Sequence, residues 1–303
     1  MASILQLLKR ITGENIFLRL RSAGYRILHT IHPPFSRSEL KAFLGDELGI
    51  KEGDTLFVHS SMDKLNIRFP ADQLIPLLQE LVGPEGTLAF PCWHFQERAE
   101  EYLSNPDNVF DVKRSPSVMG LLTEFARRNK QATRSLHPTS SVVAIGRHAR
   151  ELTEEHHLSE YPCGQLSPFY KIMHYGGKIL GLGEKPETSL SFVHCAEDAA
   201  DGSFPVKTRT DRVFTGHVID QQGKKREVKT RAAHKNIQHR DIRGFFKKHI
   251  SNKECRLTRK RGTWFYIAHA VPLYEKMKTL ALQGKTIYTL PLQGERQAPE
   301  RQA

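Results

Sequence analysis

Short β-rich apolar runs alternate with stretches of helical period along this chain, and that alternation constrains its fold more than any other feature. Thr55-Leu56-Phe57-Val58-His59, Thr87-Leu88-Ala89-Phe90-Pro91 and Ser141-Val142-Val143-Ala144-Ile145-Gly146 each read as a buried strand. Between them, Ala71 to Leu81 carries Leu74, Leu77, Leu78 and Leu81 on one helical face, and Met119 to Arg128 reads as a second helix. Ser36-Arg37-Ser38-Glu39 has the hydroxyl and acid of a capping box and opens a helix running through Phe43 to Leu48. Gly53-Asp54 and Gly83-Pro84-Glu85-Gly86 mark turns. Further on, Lys178 to Gly183 reads as a strand ending in glycine, Ile242 to Ile250 as a helix and Trp264 to His269 as a core strand. Leu273 to Gln283 reads as a helix and Thr286 to Leu290 as a short last strand. Residues 94–117 read as a long surface loop, and Arg212 to Asp220 followed by Gln221-Gln222-Gly223-Lys224 as one arm and turn of a hairpin. Strands alternating with helices point to an α/β sheet with helices packed on it.

A polar stripe follows the glycine-ended strand. Read as a helix, Ser189 to Asp198 places Ser191, His194 and Glu197 three residues apart on one face. A hydroxyl, an imidazole and a carboxylate so arranged can hold the imidazole in one tautomer and make it a base. The carboxyl end of a strand is where open α/β sheets bind ligands. The same spacing fits a helix with one satisfied histidine and two solvated acids. Cys195 would point about 100° away from His194, which argues against a thiol nucleophile beside that base. Three other segments carry polar groups suited to a ligand. Val58-His59-Ser60-Ser61 ends a strand in hydroxyls, and Ser115-Pro116-Ser117-Val118-Met119-Gly120 precedes a helix start with free amides. Arg134-Ser135-Leu136-His137-Pro138 packs a cation, a hydroxyl and a histidine into one loop; His137 there reads either as catalytic or as a structural hydrogen-bonder.

Composition adds a charge asymmetry. The net charge is +12, and between Pro205 and Arg261 there are 18 Lys and Arg against 5 Asp and Glu, a local +13 that leaves −1 for the rest. Such a segment suits an acidic partner (phosphate, anionic saccharide, carrier protein, nucleic acid or membrane surface) or simply a solvated lobe. Few aromatics interleave with these cations and no nucleic-acid motif accompanies them, so no specific nucleic acid is expected. Cys92, Cys163, Cys195 and Cys255 form no CxxC pair, which argues against a zinc site and a disulfide framework and fits a reducing compartment. Residues 1–33 carry apolar residues at near-helical spacing with arginines and lysines between them. Their apolar runs fall short of the roughly 20 residues of a membrane span, and they lack a secretory signal's pattern. They read as an amphipathic helical extension that packs on its own domain or a second subunit of a homodimer, or lies on an anionic membrane face. The expected division is an N-terminal extension at 1–35, one domain at 36–292 with a basic excursion at 205–261, and a disordered tail at 293–303, in a cytoplasmic protein.

In order along the chain, these pieces resemble the aminoglycoside 3-N-acetyltransferase family. They are Gly53 to Ser61, Gly86-Thr87-Leu88 with Pro91, Phe110-Asp111 with Ser115 to Gly120, Arg134-Ser135 and His137-Pro138. Ser167-Pro168, Leu180 to Gly183, His194 with Ala196-Glu197, and His269-Ala270 continue the series. The resemblance implies a layered α/β/α sandwich with a central mixed sheet, and acetyl transfer from acetyl-coenzyme A to an amine on a sugar-like acceptor. It implies that His194 is the general base, on the stripe shared with Ser191 and Glu197. It also implies that His59, Ser60, Ser61, Ser117, Val118, Met119, Arg134 and Ser135 line the coenzyme side. The chain departs from the family at Lys229-Thr230-Arg231-Ala232-Ala233-His234-Lys235, where drug-modifying members carry an acid. A +13 lobe would repel a polycationic aminoglycoside. The expected acceptor is therefore an anionic carbohydrate, modified at an amine or a hydroxyl. An aminoglycoside acceptor, or an inactive scaffold binding nucleic acid or membrane through residues 205–261, are the alternative readings.

Overall fold

The computed structural model describes Gly24, residues 30–200 and residues 202–290. The expectations for most of the N-terminal extension and for the tail at 293–303 lie outside the described residues. Ten strands among the described residues form two sheets: β1 (Thr55–Ser60), β2 (Thr87–Pro91), β3 (Val109–Asp111), β4 (Thr133–Arg134), β5 (Val142–Gly146), β6 (Lys178–Leu182), β7 (Arg209–Ile219), β8 (Lys225–Ala233), β9 (Cys255–Lys260) and β10 (Thr263–His269). The seven-stranded sheet runs β4-β5-β2-β1-β6-β10-β9. Its centre is parallel, β2 and β6 flanking β1, and antiparallel strands complete both sides.

Alternate side chains of the central strands feed two separate cores. Phe57, Ala89, Ile179 and Tyr266 point to one face and Leu56, Leu88, Leu180 and Phe265 to the other, which is why these strands are apolar without a break. Helix Leu74–Val82 covers the second face with Leu74, Leu77 and Leu78, and helix Leu121–Arg128 adds Leu122 and Ala126. The first face is covered by Leu152, Phe169, Val193 and helix Ala270–Leu282 through Leu273 and Met277. The chain is thus a layered α/β/α sandwich on a mixed sheet. Gly181 in β6 lies flat against Tyr266: a Cβ there would fall 2.1 Å from the ring.

Several local expectations change. The 94–117 stretch contains helix Ala99–Ser104 and β3, which pairs in parallel with β7 to make a second sheet, β3-β7-β8. The Gln221–Lys224 turn does close a hairpin, with β7 and β8 antiparallel. Residues 286–290 form no strand; Tyr288 makes a single antiparallel bridge to Arg240. β9 was not expected, since Cys255-Arg256-Leu257-Thr258-Arg259-Lys260 is mostly polar; it is an edge strand whose charged side chains guard the sheet's rim. Ser36 caps helix Arg37–Ala42 in a true capping box with Glu39.

Candidate active site

The three parallel strands end together at Ser60, Pro91 and Leu182. Beyond those ends lies a cavity of about 290 Å³, walled by His59, Ser60, Pro91, Met119, Ser191, His194 and Arg240 among others. The segment carrying His194 is not one continuous helix. Leu190 breaks it, a 3₁₀ turn spans Ser191–His194, and a short α-turn follows at Cys195–Asp198. The i, i+3 relation of His194 and Glu197 survives, and Nδ1 of His194 lies 2.9 Å from Oε2 of Glu197.

Hydrogen-bond chemistry fixes the state of this ring. A carboxylate only accepts, so Nδ1 carries the hydrogen; a guanidinium only donates. Arg240 Nη1 lies 3.2 Å from Nε2, so Nε2 presents its lone pair. These two contacts together select the Nδ1–H tautomer and turn the Nε2 lone pair toward Arg240 on the cavity wall. The Glu197 side chain is 1% exposed and that of His194 17%. Glu197 Oε1 accepts a further bond from the Tyr288 hydroxyl at 2.9 Å. Burial, and then the Glu197 charge, hold the Tyr288 hydroxyl well above its ordinary pKa, so it remains a donor.

A buried ion pair adjoins the His194–Glu197 pair. Next to Glu197, the Asp198 carboxylate takes two bonds from Arg209, each 2.7 Å, and one from the Cys163 amide at 2.7 Å. Burial works against the Arg209 charge, but Asp198 outweighs it and raises the guanidinium pKa. Cys195 is wholly buried in the core, and burial pushes its thiol well above the ordinary range, so it has neither the exposure nor the ionisation of a nucleophile.

The residues expected around the coenzyme are distributed unevenly. His59, Ser60 and Met119 line the cavity together with Ser191 and His194. Ser191 Oγ lies 3.4 Å from Nε2 of His59, whose pKa burial lowers to about 3. Ser61 adjoins the cavity but donates to Asp63 at 2.5 Å. Ser117 and Val118 precede Met119: the Ser117 amide donates to Glu124, its hydroxyl accepts from the Met119 amide, and Val118 is exposed with its amide on Trp93. Arg134 and Ser135 lie outside the lining. Arg134 is buried against Phe110 and donates to the carbonyls of Cys92 and Ser115, while Ser135 bonds His156 and the Val142 amide. His137 takes its structural reading: buried, stacked on His156, and accepting from the Thr139 and Ser140 amides.

Arg240 and Tyr288 complete the arrangement, and neither was expected. They come from segments 46 and 91 residues from the groups they touch, with no motif around them. Part of the basic lobe is paired: Lys207 with Asp211, Arg226 with Asp220, Arg231 with Glu160, Lys260 with Glu47 and Arg261 with Glu39. Among the described residues no helix is long and apolar enough to cross a membrane, and no His, Cys, Asp or Glu cluster is arranged to hold a metal ion.

A family model described as aminoglycoside 3-N-acetyltransferase matches residues 57–278. Aminoglycoside N(3)-acetyltransferase III of a Salmonella species is 34% identical over 168 residues, 51% of this chain and 58% of that protein. Aminoglycoside N(3)-acetyltransferase IX of Micromonospora chalcea is 32% identical over 185 residues, 55% of this chain and 63% of that protein. These matches span less than two thirds of either relative. Among solved structures, aminoglycoside acetyltransferase AAC(3)-Xa shares the fold with a TM-score of 0.71 at 21% identity, over 86% of this chain and 96% of its own. AAC-IIIb in a binary complex with CoASH does so at 0.66 and 22%, over 84% and 99%.

Proposed function

The chain belongs to the aminoglycoside 3-N-acetyltransferase family, and from that premise we infer that it transfers an acetyl group from acetyl-coenzyme A to an amine of a carbohydrate-type acceptor. The observation that carries this reading is the 2.9 Å contact between His194 Nδ1 and the buried Glu197 carboxylate at the cavity wall, which favours the Nδ1–H tautomer and leaves Nε2 for the acceptor. An amine near neutral pH is mostly protonated and a hydroxyl is a weak nucleophile, so either acceptor needs a positioned base.

In the proposed reaction the acceptor's ammonium first gives one proton to solvent, and the neutral nitrogen then attacks the thioester carbonyl, forming the C–N bond. Nε2 of His194 takes the proton this nitrogen sheds. The tetrahedral intermediate then breaks its C–S bond, and the proton passes from Nε2 to the departing thiolate. The charge that grows on His194 is matched by the buried Glu197 carboxylate, itself held by Tyr288. The carbonyl oxygen needs donors as it becomes an oxyanion. Helix Leu121–Arg128 begins beside Met119, and Met119 and Thr123 both wall the cavity, so its first amides are the candidates. His59, Ser60 and Met119 would flank the pantetheine arm. Ser61, Ser117 and Val118 adjoin that wall, and Arg134 and Ser135 brace the loops behind it.

For the acceptor we favour an amino sugar carrying an acidic group, because Arg240 presents a guanidinium at the base while the surrounding segment is net basic. The relatives' names favour a second reading, an aminoglycoside acceptor. Free-thiol release from acetyl-coenzyme A, measured with amino-sugar phosphates, amino-sugar nucleotides and tobramycin, separates the two. Turnover with the anionic sugars alone supports the first reading, turnover with tobramycin alone the second, and no thiol release with any of them counts against acetyl transfer to sugars.

A further inference from the structure

A cation on the lone pair that a base must use is a contradiction unless the cation can leave. Arg240 Nη1 stands 3.2 Å from Nε2 of His194, on the cavity wall. Its backbone is well fixed: Arg240 faces Tyr288 in an isolated bridge, the Asp241 amide donates to Ile287 at 2.7 Å and the Thr289 amide to His239 at 2.9 Å. One bridged pair therefore holds both ends of the dyad, Tyr288 on Glu197 and Arg240 on His194. The guanidinium itself is exposed, and among the described residues no carboxylate lies within ion-pair distance of it. In the same basic segment Arg209, Arg226, Arg231 and Arg261 have such a carboxylate, and of the arginines without one Arg240 is the one that lines the cavity.

We propose that Arg240 is a gate and specificity residue for the acceptor: its guanidinium covers Nε2 until an acidic oxygen of the acceptor, from a phosphate or a carboxylate, draws it off and frees the lone pair. This rests on the acetyl-transfer reading of the same cavity. A guanidinium can make two parallel hydrogen bonds to a phosphate or carboxylate and gains an opposite charge there, whereas an imidazole nitrogen accepts only one bond, so the ring yields Arg240 to an acidic oxygen and holds it against a hydroxyl. The two lining carboxylates complement this. Glu184 is already paired with Lys64 at 2.7 Å, which leaves Glu187 to attract the acceptor's ammonium. An acceptor with an amine and an acidic group satisfies both ends.

The test uses the full chain with ¹⁵N,¹³C-labelled histidine, the His194 ring signals being assigned from their loss in His194→Gln. Without ligand, Arg240→Gln should move the Nε2 resonance, because the ring exchanges a charged guanidinium donor for a shorter, uncharged amide. Glucosamine 6-phosphate (the phosphate arm) and muramic acid (the carboxylate arm) should shift the wild-type His194 signals in the millimolar range, and glucosamine should not. In Arg240→Gln the apparent Kd for a responding acid should weaken at least tenfold, with Arg240→Lys intermediate; a response in one arm alone identifies which acid is read. An Nε2 resonance identical in wild type and Arg240→Gln, an equal response to glucosamine, no response to either acid, or an Arg240→Gln titration matching wild type would each overturn the gate. Thiol release that persists alongside those outcomes would leave acetyl transfer standing without it. A normal gate response in a protein that releases no thiol would do the reverse.

Discussion

The Tyr288 hydroxyl lies 2.9 Å from Oε1 of Glu197, a residue 91 positions earlier in the chain. The other oxygen of that carboxylate, Oε2, takes the Nδ1 hydrogen of His194. Two donors therefore hold one buried acid in the orientation that selects the tautomer. Glu197→Gln keeps the size, but its amide can turn a donor toward Nδ1 and favour the wrong tautomer. In a comparable triad that change costs about 10⁴-fold in kcat, and a loss of about 10²–10⁴-fold in thiol release is expected here. Tyr288→Phe removes one hydrogen bond to a charged group, worth about 1.5–3 kcal/mol. Part of that will fall on stability, and a loss of about tenfold in kcat is expected. Equal turnover in Glu197→Gln and wild type would remove Glu197 from the account.

How much of this was legible in the sequence depends on the range of each interaction. The cores of β1, β2 and β5, the Ser36–Glu39 capping box and the Gln221–Lys224 turn are set by neighbours a few residues apart, and each was readable. So was the His194–Glu197 pair, because i, i+3 spacing meets across one helical turn. β3 was hidden in a presumed loop because its partner is β7, about a hundred residues on. β9 was hidden because an edge strand needs no apolar alternation. Arg240 and Tyr288 meet the dyad only after the chain has closed, and no local pattern signals that. Arg134 looked like a ligand-binding cation because charge in a loop suggests function; its donors are instead spent on carbonyls that shape the loop.

The Arg209–Asp198 pair beneath the site should behave as a buried, fully bonded ion pair. Arg209→Leu leaves the Asp198 carboxylate buried with the Cys163 amide as its remaining donor. Breaking such a pair costs about 3–5 kcal/mol, measured as a fall in the urea midpoint at constant m-value. Asp198→Asn added to Arg209→Leu should recover part of the loss by removing the stranded charge. Additive losses in the double variant would contradict this.

Stability should fall on mild acidification. Burial lowers the pKa of His59 and of His156 to about 3, against about 6.5 in an unfolded chain. Between those values the unfolded state binds protons that the folded state refuses, so stability is full above about pH 6.5 and is lost as pH falls toward 3. The slope is about 1.4 kcal/mol per pH unit for each such histidine. Urea unfolding at pH 7.5 and 5.5 checks it: the free energy should be lower at pH 5.5, and an unchanged value would contradict the burial of these rings as neutral groups.

Gly181→Ala tests the contact that lets β6 lie against β10. The added methyl would fall 2.1 Å from the Tyr266 ring, and that ring is tied to Ser189 at 3.0 Å, close to the cavity. Overpacking of this kind costs about 1–3 kcal/mol, and a shift of Tyr266 should also raise KM through Ser189. A variant as stable as wild type in urea would show that the sheet opens here more readily than the contact suggests.

The most direct test of the central claim is to measure coenzyme binding and turnover together in purified His194→Ala. Acetyl-coenzyme A affinity is expected to stay within about twofold of wild type while kcat for thiol release falls by about 10²–10⁴-fold, the usual contribution of a positioned general base. A folded His194→Ala protein that turns over within a few fold of wild type would contradict that claim.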